Sequence, residues 1–361
     1  MSERIHSLDT VKGVALLAIF LQHARWMYVG SGGEAATTAG FILMNITRLA
    51  VPLFFLTSGY LLCLKLSKLD TGSGKTYIQK YLKRIGTAYL AGTALFYTIS
   101  LAALEANKYL QMESITYWVS MDSTLPQAAW SLLYQGIFGA EHLWFLTALF
   151  YSALIIYVAQ RYGYFTELFA LSGVLHIVGI LSQTYLVLDQ IPVPPDDAVF
   201  FGLFFTAAGY YINKKNIREK LPVKYLVPTA ILVNILHLVE RIVITTQLGY
   251  EPYFWNSYSF LTFGSAALIF LYVLKNTRLG RKSFFNKVGQ KTLWIYVLHP
   301  LGLGAIVGAT VLSTQQVPWN PESLLIVNIV IAVVGYIAVS AAIIRYKQSD
   351  FNLRQRLGIV S

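Results

Sequence analysis

The sequence predicts an all-helical bundle that spans a membrane about ten times, and three observations support this fold class. First, 56% of the 361 residues are apolar and only 12% are charged, whereas soluble domains usually have about 25% charged residues. Second, apolar runs of membrane-spanning length recur along the whole chain. Third, basic residues concentrate in alternate connections between those runs. Together these observations argue against a soluble enzyme.

Each predicted span is an apolar run near the length of about 20 residues that crosses the hydrocarbon core. The ten runs are 11–28, 41–64, 85–104, 143–158, 168–185, 198–212, 226–244, 254–274, 293–312 and 324–344. The sixth run is the shortest. The runs and their short connections predict one integral membrane domain over residues 1–361, with no large soluble domain.

The distribution of Lys and Arg predicts that both chain ends lie in the cytoplasm. With the N-terminus inside, 24 of the 28 basic residues fall in cytoplasmic segments, where Lys and Arg are retained. The net charge of +11 therefore indicates orientation rather than nucleic acid binding. We expect a multi-pass protein of the cell membrane with a cytoplasmic tail at 345–361. The single cysteine, Cys63, excludes an intrachain disulfide.

The longest predicted outer connection is the segment 105–141, which contains Trp118 and Trp130. We expect a short amphipathic helix at 127–136 that lies in the membrane interface. The two tryptophans are compatible with an aromatic anchor at the headgroups and equally with a substrate lid, so both interpretations stay open.

The first predicted helix places a cation and a histidine on one face. Lys12 and His23 are 11 residues apart, which is close to three helical turns and a rise of about 16 Å. Ionisable groups inside a span are costly and therefore mark functional candidates. Asp9, three residues before Lys12, has the spacing of an ion pair. A cleaved signal peptide is the competing interpretation, but Gln22 and His23 interrupt its apolar run.

Polar residues of the second and seventh spans form another candidate group. Arg48 precedes Pro52, which removes a backbone hydrogen bond and bends the helix. His237, Glu240 and Arg241 share one helix face, and Glu240 is a candidate partner for Arg48. The spacing leaves open whether the group contacts substrate or forms a self-contained polar network.

The fourth and ninth spans contribute His142, Trp144 and His299. His142 opens its span, where a polar cap and a substrate contact are equally compatible with the sequence. His299 precedes Pro300, and an imidazole at that position can bond a carbonyl freed by the proline. His176 stands alone on an apolar face, so we expect it to be structural. In the second span we expect Ser58 and Gly59 to serve close helix packing.

Four motifs in this order resemble acyltransferase family 3, a family of membrane proteins that O-acylate cell-surface glycans and other acceptors. The resemblance covers nearly the whole chain. The motifs are Leu8, Asp9, Lys12, Gly13 and His23; Arg48, Val51, Pro52, Leu53, Phe54, Phe55, Ser58, Gly59 and Tyr60; His142, Leu143, Trp144, Phe145 and Leu146; and Tyr296, Leu298, His299 and Pro300. Lys80, Lys83 and Arg84 approximate the family's Arg-x-x-Arg pair, which is linked to acyl-CoA binding.

The resemblance implies transfer of an acyl group, most often acetyl, from cytoplasmic acyl-CoA to a hydroxyl of an extracytoplasmic glycan or lipid-linked sugar. His23 and Arg48 are the implied catalytic residues. Donor binding is expected at Lys12, Lys80, Lys83 and Arg84, and acceptor binding at His142, Trp144, Glu240, Arg241 and His299. We expect no bound cofactor, no metal and no nucleic acid; the partners are acyl-CoA (acetyl-CoA), the acceptor and the lipid bilayer.

One alternative function stays open, a multi-span transporter or exporter of a glycan or acyl metabolite. Intramembrane His and Arg also line substrate paths in transporters. Many transporters contain inverted repeats with broken helices in matching halves, and neither is apparent in this sequence. Its oligomeric state is left open by the sequence.

Overall fold

The computed structural model describes residues 4–28, 38–110, 124–185, 187–188, 198–247, 258–314 and 321–356. Within these ranges the regular structure is helical throughout. The helices are α1 (His6–Tyr28), α2 (Thr38–Thr47), α3 (Ala50–Leu66), α4 (Thr71–Leu110), α5 (Leu125–Trp130), α6 (Trp144–Tyr162), α7 (Phe165–Gln183), α8 (Leu203–Lys214), α9 (Ile217–Lys220), α10 (Val223–Gln247), α11 (Phe260–Lys275), α12 (Phe284–Gly289), α13 (Thr292–Thr314) and α14 (Pro321–Arg356).

Six helical segments of the described residues are long and apolar enough to cross a membrane. They are Thr38–Leu66, Thr71–Ala103, Glu141–Tyr162, Phe165–Gln183, Val223–Gln247 and Leu325–Ser349, and α11 is a shorter apolar helix. The other predicted runs also fall on helices, where the structure describes them. The all-helical membrane class is therefore confirmed in its main features, while the count of ten crossings and the cytoplasmic location of both ends stay predictions.

The chain divides into two compact units. The first unit comprises Met1–Phe54 and Arg218–Ser361, and the second comprises Phe55–Ile217. In the first unit, α1 packs against α12, α13 and α14, and α10 packs against α11. A Cβ added at Gly13 would lie 2.1 Å from the carbonyl oxygen of Phe285, and one at Gly289 would lie 1.6 Å from that of Asp9. Glycine at both positions therefore allows α1 and α12 to meet backbone to backbone.

The second unit is built around α6, which packs against α4, α7 and α8. Its core includes Leu62, Cys63 and Phe165. A Cβ added at Gly59 would lie 1.8 Å from the carbonyl oxygen of Thr206, so the predicted packing role of Gly59 is confirmed. A matching close approach occurs between Gly209 and the backbone of Leu56.

Within the segment 105–141, the described residues at both ends include helical elements. Its first residues continue α4 to Leu110, and α5 is followed by a π-helical turn, Ser131–Gln135, which confirms a short helical element at the predicted position. Leu125 and Leu133 on this element are exposed, as an interfacial helix requires. Trp118 lies outside the described residues. At the other end of the chain, α14 reaches Arg356, so the predicted tail at 345–361 begins as helix.

Candidate functional site

The start of α1 holds the predicted ion pair. Lys12 Nζ lies 2.9 Å from Asp9 Oδ1, and Arg4 Nε lies 2.7 Å from Asp9 Oδ2. The carboxylate is largely buried, and two cations against one anion leave a net positive charge at this end of α1. That charge is suited to an anionic ligand.

The segment between α11 and α13, which includes α12, fixes this end of α1 through hydrogen bonds. Asn286 Nδ2 donates to the carbonyl oxygen of His6 over 2.7 Å and to Thr10 Oγ1 over 3.2 Å. Thr10 Oγ1 donates to the carbonyl oxygen of Leu279 over 3.0 Å. Sequence reasoning missed Asn286; its one signal was the helix-capping Ser283 three residues earlier, whose Oγ accepts from the Asn286 amide.

His23 and His299 form an imidazole pair. Their ring centroids are 4.7 Å apart and the rings meet edge to face. The sequence placed both residues among the candidates but had no means of pairing them, because they are carried by helices far apart in the chain. The structure brings together the last residue of the Lys-x10-His motif and the His-Pro motif.

Pro300 explains how His299 is held. Proline has no N–H to donate to the carbonyl four residues earlier, which is that of Tyr296. His299 Nδ1 lies 2.5 Å from this carbonyl oxygen, so the predicted interaction with a freed carbonyl is confirmed. Because a carbonyl only accepts, Nδ1 carries the proton and Nε2 is the basic nitrogen of the neutral ring.

Aromatic side chains surround the imidazole pair. The Phe20 ring lies 5.4 Å from the His299 ring and 5.5 Å from the Tyr336 ring. The Tyr336 hydroxyl donates to the carbonyl oxygen of Gly13 over 2.8 Å, and His299 is 0% exposed. Hydrogen bonds and charges act more strongly in such apolar surroundings than in water.

Arg48 lies where the helical backbone is interrupted. α2 ends at Thr47 and α3 begins at Ala50, and the carbonyl that would accept the missing N–H of Pro52 is that of Arg48. Arg241 of α10 bonds to Asn45 of α2, so the structure brings together the two helical segments that carry the second candidate group. The pairing of Arg48 with Glu240 stays a prediction.

Glu240 binds the start of α11. Its carboxylate accepts from Ser259 Oγ over 2.6 Å and from the backbone amides of Phe260 and Leu261, each over 3.0 Å. A carboxylate at a helix N-terminus satisfies unpaired amides and the helix dipole. Of the two interpretations left open for this group, the contacts of Glu240 favour a structural network.

The neighbours of Glu240 extend the same network. Arg241 Nε donates to Asn45 Oδ1 over 3.1 Å, and Asn45 Nδ2 donates to the carbonyl oxygen of Phe41. His237 Nε2 lies 3.2 Å from Thr262 Oγ1. Sequence reasoning missed Asn45 and Thr262, since a small polar residue in an apolar helix gives no signal of its partner.

In the second unit, His142 and Trp144 lie among aromatic rings. His142 is buried and its ring meets the Phe96 ring at 4.9 Å, edge to face, so it does not act as an exposed polar cap. The Trp144 ring lies 6.2 Å from Phe55 and 6.4 Å from Phe201. Both side chains therefore contact aromatic rings of the second unit.

Lys80, Lys83 and Arg84 share one exposed face of α4. Their spacing of three and four residues places the cations side by side, which suits phosphate groups. They belong to the second unit and Lys12 belongs to the first. Among the described residues, no group of three or more His, Cys, Asp or Glu is placed to hold a metal ion.

Two curated proteins resemble most of this chain. The chain is 25% identical over 329 residues to a serine/alanine racemase of Enterococcus gallinarum, covering 87% of this chain and 43% of that protein. It is also 25% identical over 280 residues to an amino-acid racemase of Enterococcus faecalis, covering 72% and 36%. The chain thus spans less than half the length of these relatives. No solved structure matches it significantly.

The family model for the acyltransferase domain of family 3 matches residues 5–345. The match extends from the start of α1 into the last turns of α14 and so includes every candidate residue named above. The chain belongs to acyltransferase family 3.

Proposed function

We propose that this protein is a membrane O-acyltransferase that moves an acyl group, acetyl in the simplest case, from cytoplasmic acyl-CoA to a hydroxyl of an extracytoplasmic glycan or lipid-linked sugar. The observation that carries the proposal is the imidazole pair of His23 and His299 in a chain of this family. A basic imidazole in apolar surroundings is suited to proton transfer near neutral pH.

The residues assigned to the donor phosphates are Lys12 in the first unit and, as a separate group, the cations Lys80, Lys83 and Arg84 in the second unit. The ion pair of Lys12 with Asp9 holds the ammonium in place without cancelling the local positive charge. The distance of about 16 Å along α1 from Lys12 to His23 is one that an extended pantetheine arm can cover. The thioester then lies near His23.

Transfer begins when the acceptor oxygen attacks the thioester carbonyl carbon while His23 takes the hydroxyl proton. The C–S bond then breaks, the new ester forms, and the departing CoA sulfur takes the proton from His23. In a second route His23 first carries the acyl group itself. In either route Arg48 stabilises the negative oxygen of the intermediate.

The residues assigned to the acceptor are Arg241 and His299 in the first unit and, as a separate pair, His142 and Trp144 in the second unit. The Trp144 ring offers a flat apolar face of the kind that packs against a sugar. Glu240 was predicted in the same group, and its contacts with the start of α11 support an indirect part, in which it holds Arg241 and its neighbours in place.

The test is acyl transfer from radiolabelled acetyl-CoA in membranes that contain equal amounts of each variant. We expect His23→Ala to lose about 10²-fold or more of the activity, because the proton acceptor is removed. Lys12→Ala should recover at high donor concentration. Full activity of His23→Ala would refute the catalytic assignment of this residue.

A second candidate, the transporter or exporter of a glycan or acyl metabolite, stays open because of the names of the relatives. The relatives are named as racemases, and racemisation requires no acyl donor, so the shared segment is compatible with a role other than acyl transfer. Proteoliposomes distinguish the two: movement of substrate without consumption of acyl-CoA supports transport, and acyl-CoA-dependent labelling supports the transferase.

A further inference from the structure

Helix α14 carries a buried stripe that includes polar side chains. Asn328, Ala332, Tyr336 and Ser340 follow one another at intervals of four residues, and all four are buried. Residues at this spacing lie on one helix face. Tyr336 is the member that contacts Phe20 beside the imidazole pair.

Asn328 is a buried polar group without a hydrogen-bond partner among the described residues. Its side chain is 4% exposed, and neither Oδ1 nor Nδ2 has a hydrogen-bond partner within the ranges that the structure describes. A carboxamide has two donor hydrogens and an acceptor oxygen, and burying it unpaired costs free energy. Because buried polar groups are nearly always paired, such an exception requires an explanation.

The directions of three helices place Asn328 relative to the imidazole pair. Asp9 meets Gly289, and His23 meets His299, so the chain of α1 advances in the same direction as α13. The short connection between α13 and α14 makes those two helices antiparallel. α14 is therefore antiparallel to α1, so a residue earlier in α14 lies further toward the C-terminal end of α1.

Two rises along the helix axes complete the placement. His23 lies three residues beyond Phe20, a rise of about 4.5 Å, whereas Asn328 lies eight residues beyond Tyr336, a rise of about 12 Å. Since Phe20 and Tyr336 are in contact, Asn328 lies in the half of α14 away from Lys12. The donor enters at the Lys12 end, so the acceptor belongs at the opposite end.

We propose that Asn328 binds the acceptor by donating to one of its oxygens and accepting from a hydroxyl other than the one that is acylated. A hydroxyl is both donor and acceptor, which matches the two unused functions of the carboxamide. Asn328 is therefore a specificity residue for a hydroxyl-rich ligand such as a sugar headgroup. This inference rests on the proposed function and names its acceptor subsite.

A binding measurement tests the subsite without relying on acyl transfer. Octyl β-D-glucoside serves as the hydroxyl-rich probe, added to protein in a sugar-free polyoxyethylene detergent, and thermal unfolding is followed. We expect the apparent affinity for the probe to fall about tenfold in Asn328→Leu, while the variant without probe is at least as thermostable as wild type. The matched control is Asn234→Leu, since Asn234 Nδ2 bonds to the carbonyl of Ala230; it should bind the probe normally.

Equal probe affinity of Asn328→Leu and wild type would overturn the inference, as would a loss of thermostability with probe binding unchanged. In membranes supplied with radiolabelled acetyl-CoA, Asn328→Leu should label membrane glycans and lipids about tenfold less than wild type. If wild type itself labels nothing, the proposed function fails, while the probe measurement still decides the role of Asn328.

Discussion

Each of the two units buries a histidine whose Nδ1 bonds to a backbone carbonyl. Comparing the two histidines shows which of their features are shared and which differ. His299 in the first unit is 0% exposed and His176 in the second is 5% exposed. The Nδ1 of His299 lies 2.5 Å from the carbonyl of Tyr296, and that of His176 lies 3.0 Å from the carbonyl of Phe200. By burial and tautomer the two residues are alike.

Their neighbouring rings differ. His299 meets a second imidazole, His23, whereas His176 stacks on Phe204 at 4.6 Å and meets Phe205 edge to face. A phenyl ring offers no site for a proton, but a second imidazole does. Burial alone therefore does not distinguish the two histidines, and the chemical identity of the adjacent ring does.

The largest expected difference comes from replacing each histidine by phenylalanine, which keeps the ring and removes both nitrogens. We expect His299→Phe to lower acetyl-CoA-dependent transfer by about 10²-fold, because His23 loses its imidazole neighbour. His176→Phe should leave transfer nearly unchanged. Transfer is measured in membranes at matched expression. Equal losses of transfer in the two variants would contradict the functional distinction between His299 and His176.

Pro300→Ala sharpens the comparison by changing how His299 is held. The alanine supplies an N–H that competes with His299 Nδ1 for the carbonyl of Tyr296. We expect transfer to fall about fivefold, the equivalent of one hydrogen bond of about 1 kcal/mol. Thermal unfolding should show no loss of stability, since the helix gains a backbone bond; lower stability with intact transfer would contradict this account.

Glu240→Ala tests whether the charged network of the first unit is structural. The variant leaves Ser259 Oγ and the two amides at the start of α11 without their acceptor, so we expect the free energy of unfolding to fall by about 1–3 kcal/mol. Unfolding of the purified protein in detergent measures this change. The control is Glu167→Ala, an exposed glutamate in the first turn of α7, which should change stability little.

Asp70 gives the smallest effect and a dependence on pH. Its carboxylate accepts from the Ser73 amide and hydroxyl at the start of α4, and these hydrogen bonds hold the pKa of Asp70 below its usual value. The stability that they contribute is present above the usual pKa of aspartate, about 3.9, and is lost as pH falls through the lowered pKa.

Asp70→Asn lacks this titration, so we expect the melting temperatures of the variant and wild type to converge as pH is lowered. The difference at neutral pH should be small, because Asp70 is exposed and asparagine also caps helices. Parallel melting curves across the acid range would contradict the assignment.

Sequence alone predicted the helical membrane class, because apolar composition and run length report directly on burial in lipid. It also predicted the ion pair of Asp9 with Lys12, since residues three apart meet on any helix. The same local logic predicted the bond between His299 and the carbonyl freed by Pro300. In both of these interactions the two groups lie within one helix.

Sequence did not predict contacts between distant helices. The pairing of His23 with His299, the hold of Asn286 on α1 and the contacts of Glu240 with α11 depend on how helices pack. These contacts join residues that are 19 positions apart in the case of Glu240 and Ser259 and 280 positions apart in the case of His6 and Asn286. No periodicity within one segment contains that information.

The most direct test of the central claim is transfer from radiolabelled acetyl-CoA in membranes with wild type, His23→Gln and His176→Gln at equal expression. The account predicts that His23→Gln, which keeps a hydrogen-bonding side chain but cannot take up a proton, loses about 10²-fold or more of the activity. It predicts that His176→Gln stays close to wild type. Transfer by His23→Gln at the wild-type rate would contradict the claim that acyl transfer takes place at the imidazole pair.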